Sequence, residues 1–276
     1  MRVDKLVFFT CAAGVLLSLS PHILRAEILE AMIPSSLYGT LDQTKTKCPA
    51  KGCGPTAAVN SYVFLQKKYP TVYDTRLVPS VDPNKPTTEE QARIANLLMT
   101  EEFMNTNPLR GTYWSWFVFG KATYIDYTSS TPTTTYRAQS RFDWVGDSGM
   151  PHPQPSWVED NLPNGPTIDF IFGELRDWED VEIYVDGHYL TVTGIKYDTA
   201  NLLGTLYYVD PLGGKAGKAD IAQGDANDPI TILYDGKLVT IDVAVSESPI
   251  PEPNIILLMS TGILILTGMR RLAIAR

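Results

Sequence analysis

Apolar residues recur at helical spacing in the first third of the chain. From Thr56 to Tyr69, Ala, Val, Leu and Phe follow a 3.6-residue period; Pro55 suits a first helical turn and Pro70 ends the pattern. The pattern predicts a helix with Cys53 at its N-terminus. A second helix is predicted after Thr87-x-x-Glu90, which has the form of a capping box ahead of an apolar series.

Later patterns favour strands. Residues 111–127 are aromatic and β-branched, which indicates strands or a buried aromatic layer. Further strand patterns lie at 167–172, 188–197, 204–210, 230–234 and 237–245. Asp235-Gly236 separates the last two as a hairpin turn. Because helices come early and antiparallel strands late, the predicted fold class is α+β.

The N-terminal end has the order of a secretory signal peptide. Arg2 and Lys5 precede an apolar run over 6–19, and Pro21 to Ala26 provides a cleavage region. We expect residues 1–26 to be the signal peptide, with an uncleaved anchor as the alternative. Residues 27–247 then form one domain, since neither a repeat nor a Gly/Ser linker divides them.

The C-terminal end, residues 248–276, carries a second membrane signal. Pro251-Glu252-Pro253 precedes an apolar stretch over 255–269, and arginines follow it. Read from the residues alone, this is a stop-transfer tail. The three parts resemble the PEP-CTERM sorting signal that exosortases of Gram-negative bacteria recognise and remove. The resemblance implies an exosortase-type partner, transient membrane insertion of the tail, and a destination in the cell envelope, at the cell surface or in the extracellular matrix. A permanent anchor is the alternative.

The net charge of the chain limits the classes of partner that it can bind. The formal net charge is −8, whereas nucleic-acid affinity depends on clustered Lys and Arg, so no nucleic-acid partner is expected. His152 has no companion His or Cys at ligand spacing, so the sequence predicts no metal and no cofactor.

A nucleophile and its base can be picked out by elimination. A thiolate is favoured at a helix N-terminus, which is where Cys53 lies. Of the three histidines, His22 is lost with the signal peptide and His152 lies between two prolines on an expected exposed loop, which leaves His188. A hairpin turning about residue 199 would place Asp210 opposite His188, where a carboxylate can orient the imidazole.

Three motifs resemble a known family. Cys53-Gly54-Pro55-Thr56, Gly187-His188-Tyr189 and Tyr207-x-Val209-Asp210-Pro211 look like those of papain-like cysteine peptidases of the bacteriocin-processing (double-glycine peptidase) type. The Asn164-Gly165-Pro166 turn matches the element before the histidine in that family. The similarity covers about residues 40–215. It implies a papain-like α+β fold in which an N-terminal nucleophile helix packs on an antiparallel sheet.

The resemblance also implies the roles. Cys53 becomes the nucleophile, His188 the general base and then acid, and Asp210 the orienting acid. Gln43 is the candidate oxyanion donor, although it stands ten residues before the cysteine, farther than the family's usual spacing. The implied reaction is hydrolysis of a peptide or amide bond in a protein or peptide substrate, through an acyl-enzyme.

Other interpretations remain open from the residues. An acyl transferase of the same fold or a catalytically inactive surface module would carry the same motifs. Cys48 and Cys53 could form a disulfide in an oxidising compartment. The insertion at about 71–157 is expected to shape substrate choice or bind a partner. The five tryptophans are expected to pack in the core rather than line a groove.

Overall fold

The structure, a computed structural model, describes residues 27–128, 134–223 and 228–249. The predicted signal peptide and residues 250–276 of the predicted tail at 248–276 lie outside the described residues. Within the described part, the helices fall short of the length and apolar character needed to cross a bilayer.

Helices and strands alternate unevenly along the chain. In chain order the helices are α1 (Cys53–Lys68), α2 (Pro70–Tyr73), α3 (Thr88–Leu98), α4 (Trp114–Thr128) and α5 (Ile168–Arg176). The strands are β1 (Ile28–Met32), β2 (Thr134–Ser140), β3 (Val158–Glu159), β4 (Asp180–Val185), β5 (His188–Asp198), β6 (Leu203–Asp210), β7 (Lys215–Gln223), β8 (Thr231–Tyr234) and β9 (Lys237–Pro249).

Six of these strands together form a closed ring. Strands β4 to β9 pair antiparallel with their sequence neighbours, and β9 returns to pair with β4, which completes the ring. Strand β1 adds to β5 outside this ring, and β2 and β3 extend from β9. Register shifts in the β4–β9, β5–β6 and β7–β8 pairs mark irregularities of the kind that bend and twist strands, which helps a sheet to close.

The expected papain-like α+β fold, with a helix packed on an antiparallel sheet, is wrong. The molecule is organised around a closed ring of six antiparallel strands, with additional strands and few helices. The 13-residue strand β9 is the reason, because it is long enough to pair with β8 near its start and with β4 and β2 farther along. Alternating strand patterns do not distinguish a sheet with two free edges from one that closes.

The two early helices are confirmed. Helix α1 begins at Cys53 and ends at Lys68, just before Pro70. At the start of α3, Thr87 and Glu90 form the predicted capping box, in which each side chain accepts a hydrogen bond from the other residue's backbone N–H.

Two segments with predicted strands are helical. Much of 111–127 is helix α4, so the strand alternative for it is wrong, while the alternative of a buried aromatic layer is confirmed. The helix is buried on several sides, so its aromatic residues do not follow a helical period. The predicted strand at 167–172 is the start of α5, where the Thr167 hydroxyl accepts from the Phe170 N–H and caps the helix.

A buried lysine connects α4 to the ring. Lys121 Nζ forms ion pairs with Asp180 and Glu182 of β4 and Glu247 of β9, and all four side chains are essentially inaccessible to solvent. The three carboxylates lie close enough together to hold a metal ion, but the ammonium group of Lys121 already contacts each of them. This cluster therefore fastens a helix of the predicted insertion to the two strands that close the ring.

Candidate active site

The nucleophile candidate is the first residue of α1. Cys53 is buried, at 6% exposure, and the opening N–H groups of a helix have no carbonyl partner within that helix. Helix α1 contacts β5 directly, since the Thr191 hydroxyl donates to the Ala57 carbonyl at 3.1 Å. This contact sets the start of α1 beside the start of β5, where His188 lies.

His188 connects the thiol to an acid. Its Nε2 lies 2.8 Å from Asp210 Oδ1, and its charge lowers the pKa of the Cys53 thiol, so the two side chains are neighbours. An ionised carboxylate can only accept, so Nε2 carries a proton and Nδ1 is the nitrogen left for the sulfur. The structure thus brings Cys53, His188 and Asp210 together, with a hydrogen bond between His188 and Asp210.

The hairpin register behind this pairing differs from the prediction. Thr191 faces Val209, whereas a turn about residue 199 would have placed it opposite Tyr207. The turn is longer because the Asp198 carboxylate accepts from the N–H groups of Ala200 and Asn201. His188 lies beyond the last β5–β6 pair, so its side chain reaches Asp210 diagonally rather than directly across.

Asp210 is held by three donors. Besides His188, the Leu212 N–H donates to Oδ1 at 2.7 Å and the Tyr234 phenol donates to Oδ2 at 2.8 Å. Burial raises the pKa of Asp210, but these hydrogen bonds and the charge of His188 outweigh it and hold the pKa below its ordinary value. Asp210 is therefore a carboxylate at neutral pH.

Tyr234 is the functional residue that sequence reasoning missed. It ends β8, immediately before the predicted Asp235-Gly236 turn, and its ring stacks on His188 with centroids 6.0 Å apart. In the sequence, Tyr234 was marked only by its position just before the Asp235-Gly236 turn. Its proximity to Asp210 depends on how β6, β7 and β8 pair.

The electrostatics favour an ion pair at the thiol. Burial raises the pKa of Cys53, but the hydrogen bond and charge of His188, with backbone hydrogen bonds at Tyr189 and Gly54, lower it overall. Burial lowers the pKa of His188, but Asp210 and Cys53 raise it to about 9. Both shifts stabilise a thiolate beside an imidazolium.

Gln43 lies between the segments that carry the thiol and the acid. Its backbone N–H donates to the Pro211 carbonyl at 2.8 Å, next to Asp210, and its side-chain Nε2 donates to the Pro49 carbonyl at 2.9 Å. The side chain is buried, and a primary amide carries a second N–H. The role of Gln43 as oxyanion donor stays a prediction.

The structure also shows where the other cysteine, His152 and the tryptophans lie. Cys48 and Cys53 are both free thiols, with Cys48 partly exposed. His152 is exposed, as expected of its loop, and its ring stacks on Phe119 at 4.0 Å. Trp114, Trp116 and Trp144 are buried, which confirms core packing for those three.

Comparison with protein-family models and with curated proteins found no match for this chain.

Proposed function

We propose that the protein is an exported cysteine peptidase that cleaves peptide or amide bonds through an acyl-enzyme on Cys53. The observation that supports this most directly is that His188 is hydrogen-bonded to Asp210 and interacts electrostatically with the Cys53 thiol. The lowered pKa of Cys53 and the raised pKa of His188 supply the thiolate and the proton donor that acyl transfer requires.

In the proposed reaction the Cys53 sulfur attacks the substrate carbonyl carbon. The His188 imidazolium gives its proton to the departing amine as the C–N bond breaks, and a thioester remains on Cys53. His188, now neutral, takes a proton from water, and the hydroxide attacks the thioester to release the acid and restore the thiol. The Cys53 backbone N–H and the Gln43 amide stabilise the oxyanion, with a lost donor costing about 3 kcal/mol of barrier.

The proposed setting follows from the chain ends. Residues 1–26 direct export, and an exosortase-type enzyme acts on the tail after its transient insertion in the membrane. The substrate is then a protein or peptide at the cell envelope, the cell surface or in the extracellular matrix of a Gram-negative bacterium.

The test is covalent labelling of the reduced mature chain with a peptidyl acyloxymethyl ketone, followed by mapping of the labelled site. We expect label on Cys53, an unchanged rate in Cys48→Ala, and a loss of about 100-fold or more in His188→Ala. Equal slow labelling of Cys48 and Cys53 in every variant would contradict the proposal and favour an inactive binding module.

Product analysis separates hydrolysis from acyl transfer. The mature chain is incubated with a peptide library and excess glycine amide, and products are measured by mass spectrometry. Products with a free new carboxyl group support a peptidase. Products whose new carboxyl end is joined to glycine amide would instead identify a transferase.

A further inference from the structure

A cavity of about 520 Å³ is lined by residues that neighbour the segments carrying Cys53 and His188. Most of its wall comes from the predicted insertion, through Thr112, Tyr113, Trp114 and Phe142, and Tyr184 of β4 completes it. The volume lies within the range of pockets that bind small ligands or single side chains, about 300–1,000 Å³.

Two of these residues connect the cavity to the reacting groups. Thr112 packs against the residue after the nucleophile, since a Cβ placed on Gly54 would lie 3.2 Å from the Thr112 Cβ. The Tyr184 ring lies 4.9 Å from the ring of Tyr189, the residue that follows His188. A peptide held at Cys53 would therefore have one of its side chains at the mouth of this cavity.

The charged groups around the cavity have partners within the protein. Arg141 forms an ion pair with Asp242 at 2.8 Å, and Arg110 donates to the Tyr113 phenol at 3.3 Å. The Asp143 carboxylate accepts from the N–H groups that follow it, at 2.8 Å from Val145.

The rings supply the remaining surface. The Trp114 indole N–H donates to the Asp143 carbonyl at 3.3 Å, so its polar atom is satisfied and its ring packs at the wall. Phe142 is 42% exposed, and its ring meets Tyr184 edge-on at 6.3 Å. Aromatic rings packed in this way favour contact with another aromatic ring.

We infer that this cavity is the specificity pocket of the site and takes a large aromatic side chain of the peptide substrate, close to the bond that is cleaved. The inference rests on the proposed function. It gives the predicted insertion a role in choosing substrates with Phe, Tyr or Trp near the scissile bond.

The first arm of the test measures labelling rates of Cys53. The mature chain is treated with peptidyl acyloxymethyl ketones in which Phe replaces Gly at the first or second residue from the electrophile. We expect labelling about tenfold faster with Phe at one of these positions. In Phe142→Ala this Phe-to-Gly ratio should fall about three- to tenfold. Tyr127→Ala, which removes an exposed ring outside the cavity, should keep the wild-type ratio.

The second arm measures binding without chemistry. Full mature Cys53→Ala is titrated with acetylated tripeptide amides containing Phe or Gly, and binding is followed by NMR. We expect Phe-dependent binding that is weakened when Phe142→Ala is added.

The two arms distinguish the possible failures. Rapid Cys53 labelling with no preference for Phe, or equal binding of both tripeptides, would overturn the pocket while the peptidase proposal stands. Phe-dependent binding with Cys53 no more reactive than Cys48 would instead overturn the peptidase proposal and leave the pocket as a peptide-binding site.

Discussion

The phenol of Tyr234 donates a 2.8 Å hydrogen bond to Asp210 Oδ2, on the oxygen opposite the one that faces His188. Because the Leu212 N–H also donates to this carboxylate, Asp210 is fixed from the β8 side and from its own turn. The orienting acid of the proposed triad therefore has an orienting group of its own.

Removing this phenol should weaken the triad without breaking it. In Tyr234→Phe the ring can still stack on His188, but one hydrogen bond to the carboxylate is lost. We expect the labelling rate of Cys53 to fall about three- to tenfold, as for loss of roughly 1 kcal/mol. Tyr207→Phe, on β6, the strand that carries Asp210, serves as the matched control and should label at the wild-type rate. A Tyr234→Phe rate equal to that of the control would show that Tyr234 does not position Asp210.

The pH dependence of peptide hydrolysis should be bell-shaped. As pH rises through the lowered pKa of Cys53, the thiolate forms and the rate increases. As pH rises through about 9, His188 loses its proton, the ion pair is lost, and turnover lacks its proton donor. We expect peptide hydrolysis to be fastest between these two values, with its alkaline decline near pH 9.

A variant of Asp210 provides the control for this pH profile. Asp210 raises the pKa of His188, so Asp210→Asn should move the alkaline decline to lower pH. An alkaline decline that stays in place in Asp210→Asn would contradict the assignment of that limb to His188.

The buried ion cluster should matter to stability. Lys121→Met leaves Asp180, Glu182 and Glu247 buried together without their cation. We expect the free energy of unfolding to fall by about 3–5 kcal/mol, measured by urea denaturation at pH 7. The exposed Lys68→Met provides the comparison and should change stability by less than about 1 kcal/mol.

Acid provides a second readout for the cluster. Burial raises the pKa of Glu182 to about 7 and that of Glu247 well above its ordinary value. These carboxyl groups take up protons as pH falls, so at pH 5 fewer negative charges need the positive charge of Lys121 than at pH 7. The decrease in unfolding free energy caused by Lys121→Met should therefore be smaller at pH 5. A Lys121→Met loss that is the same at both pH values would show that charge pairing is not its cause.

Local signals in the sequence were sufficient for α1 and α3. Pro55, Pro70 and the Thr87–Glu90 capping box act within a few residues, and the structure has both helices where these signals place them. Helix α4 could not be predicted in this way, because its aromatic residues pack on several sides and the usual amphipathic period is absent.

The candidate site could likewise be predicted only in part. Cys53 and His188 could be selected by residue chemistry and elimination, and Asp210 from an assumed hairpin register; the structure brings the three together. Their register could not, because the Asp198 turn and the irregularity between Val192 and Gly194 both shift the pairing. Ring closure was not visible either, since it depends on which strands β9 meets.

The position of β9 has a consequence for the order in which the protein folds. The thiol comes early in the chain, its base and acid much later, and the strand that closes the ring last of all, ending at Pro249. Contacts between such distant segments form slowly, because the entropy of closing long loops is lost before the contacts are gained. We therefore expect Cys53 to be an ordinary thiol in a nascent chain, and the lowering of its pKa by His188 to await the C-terminal strands.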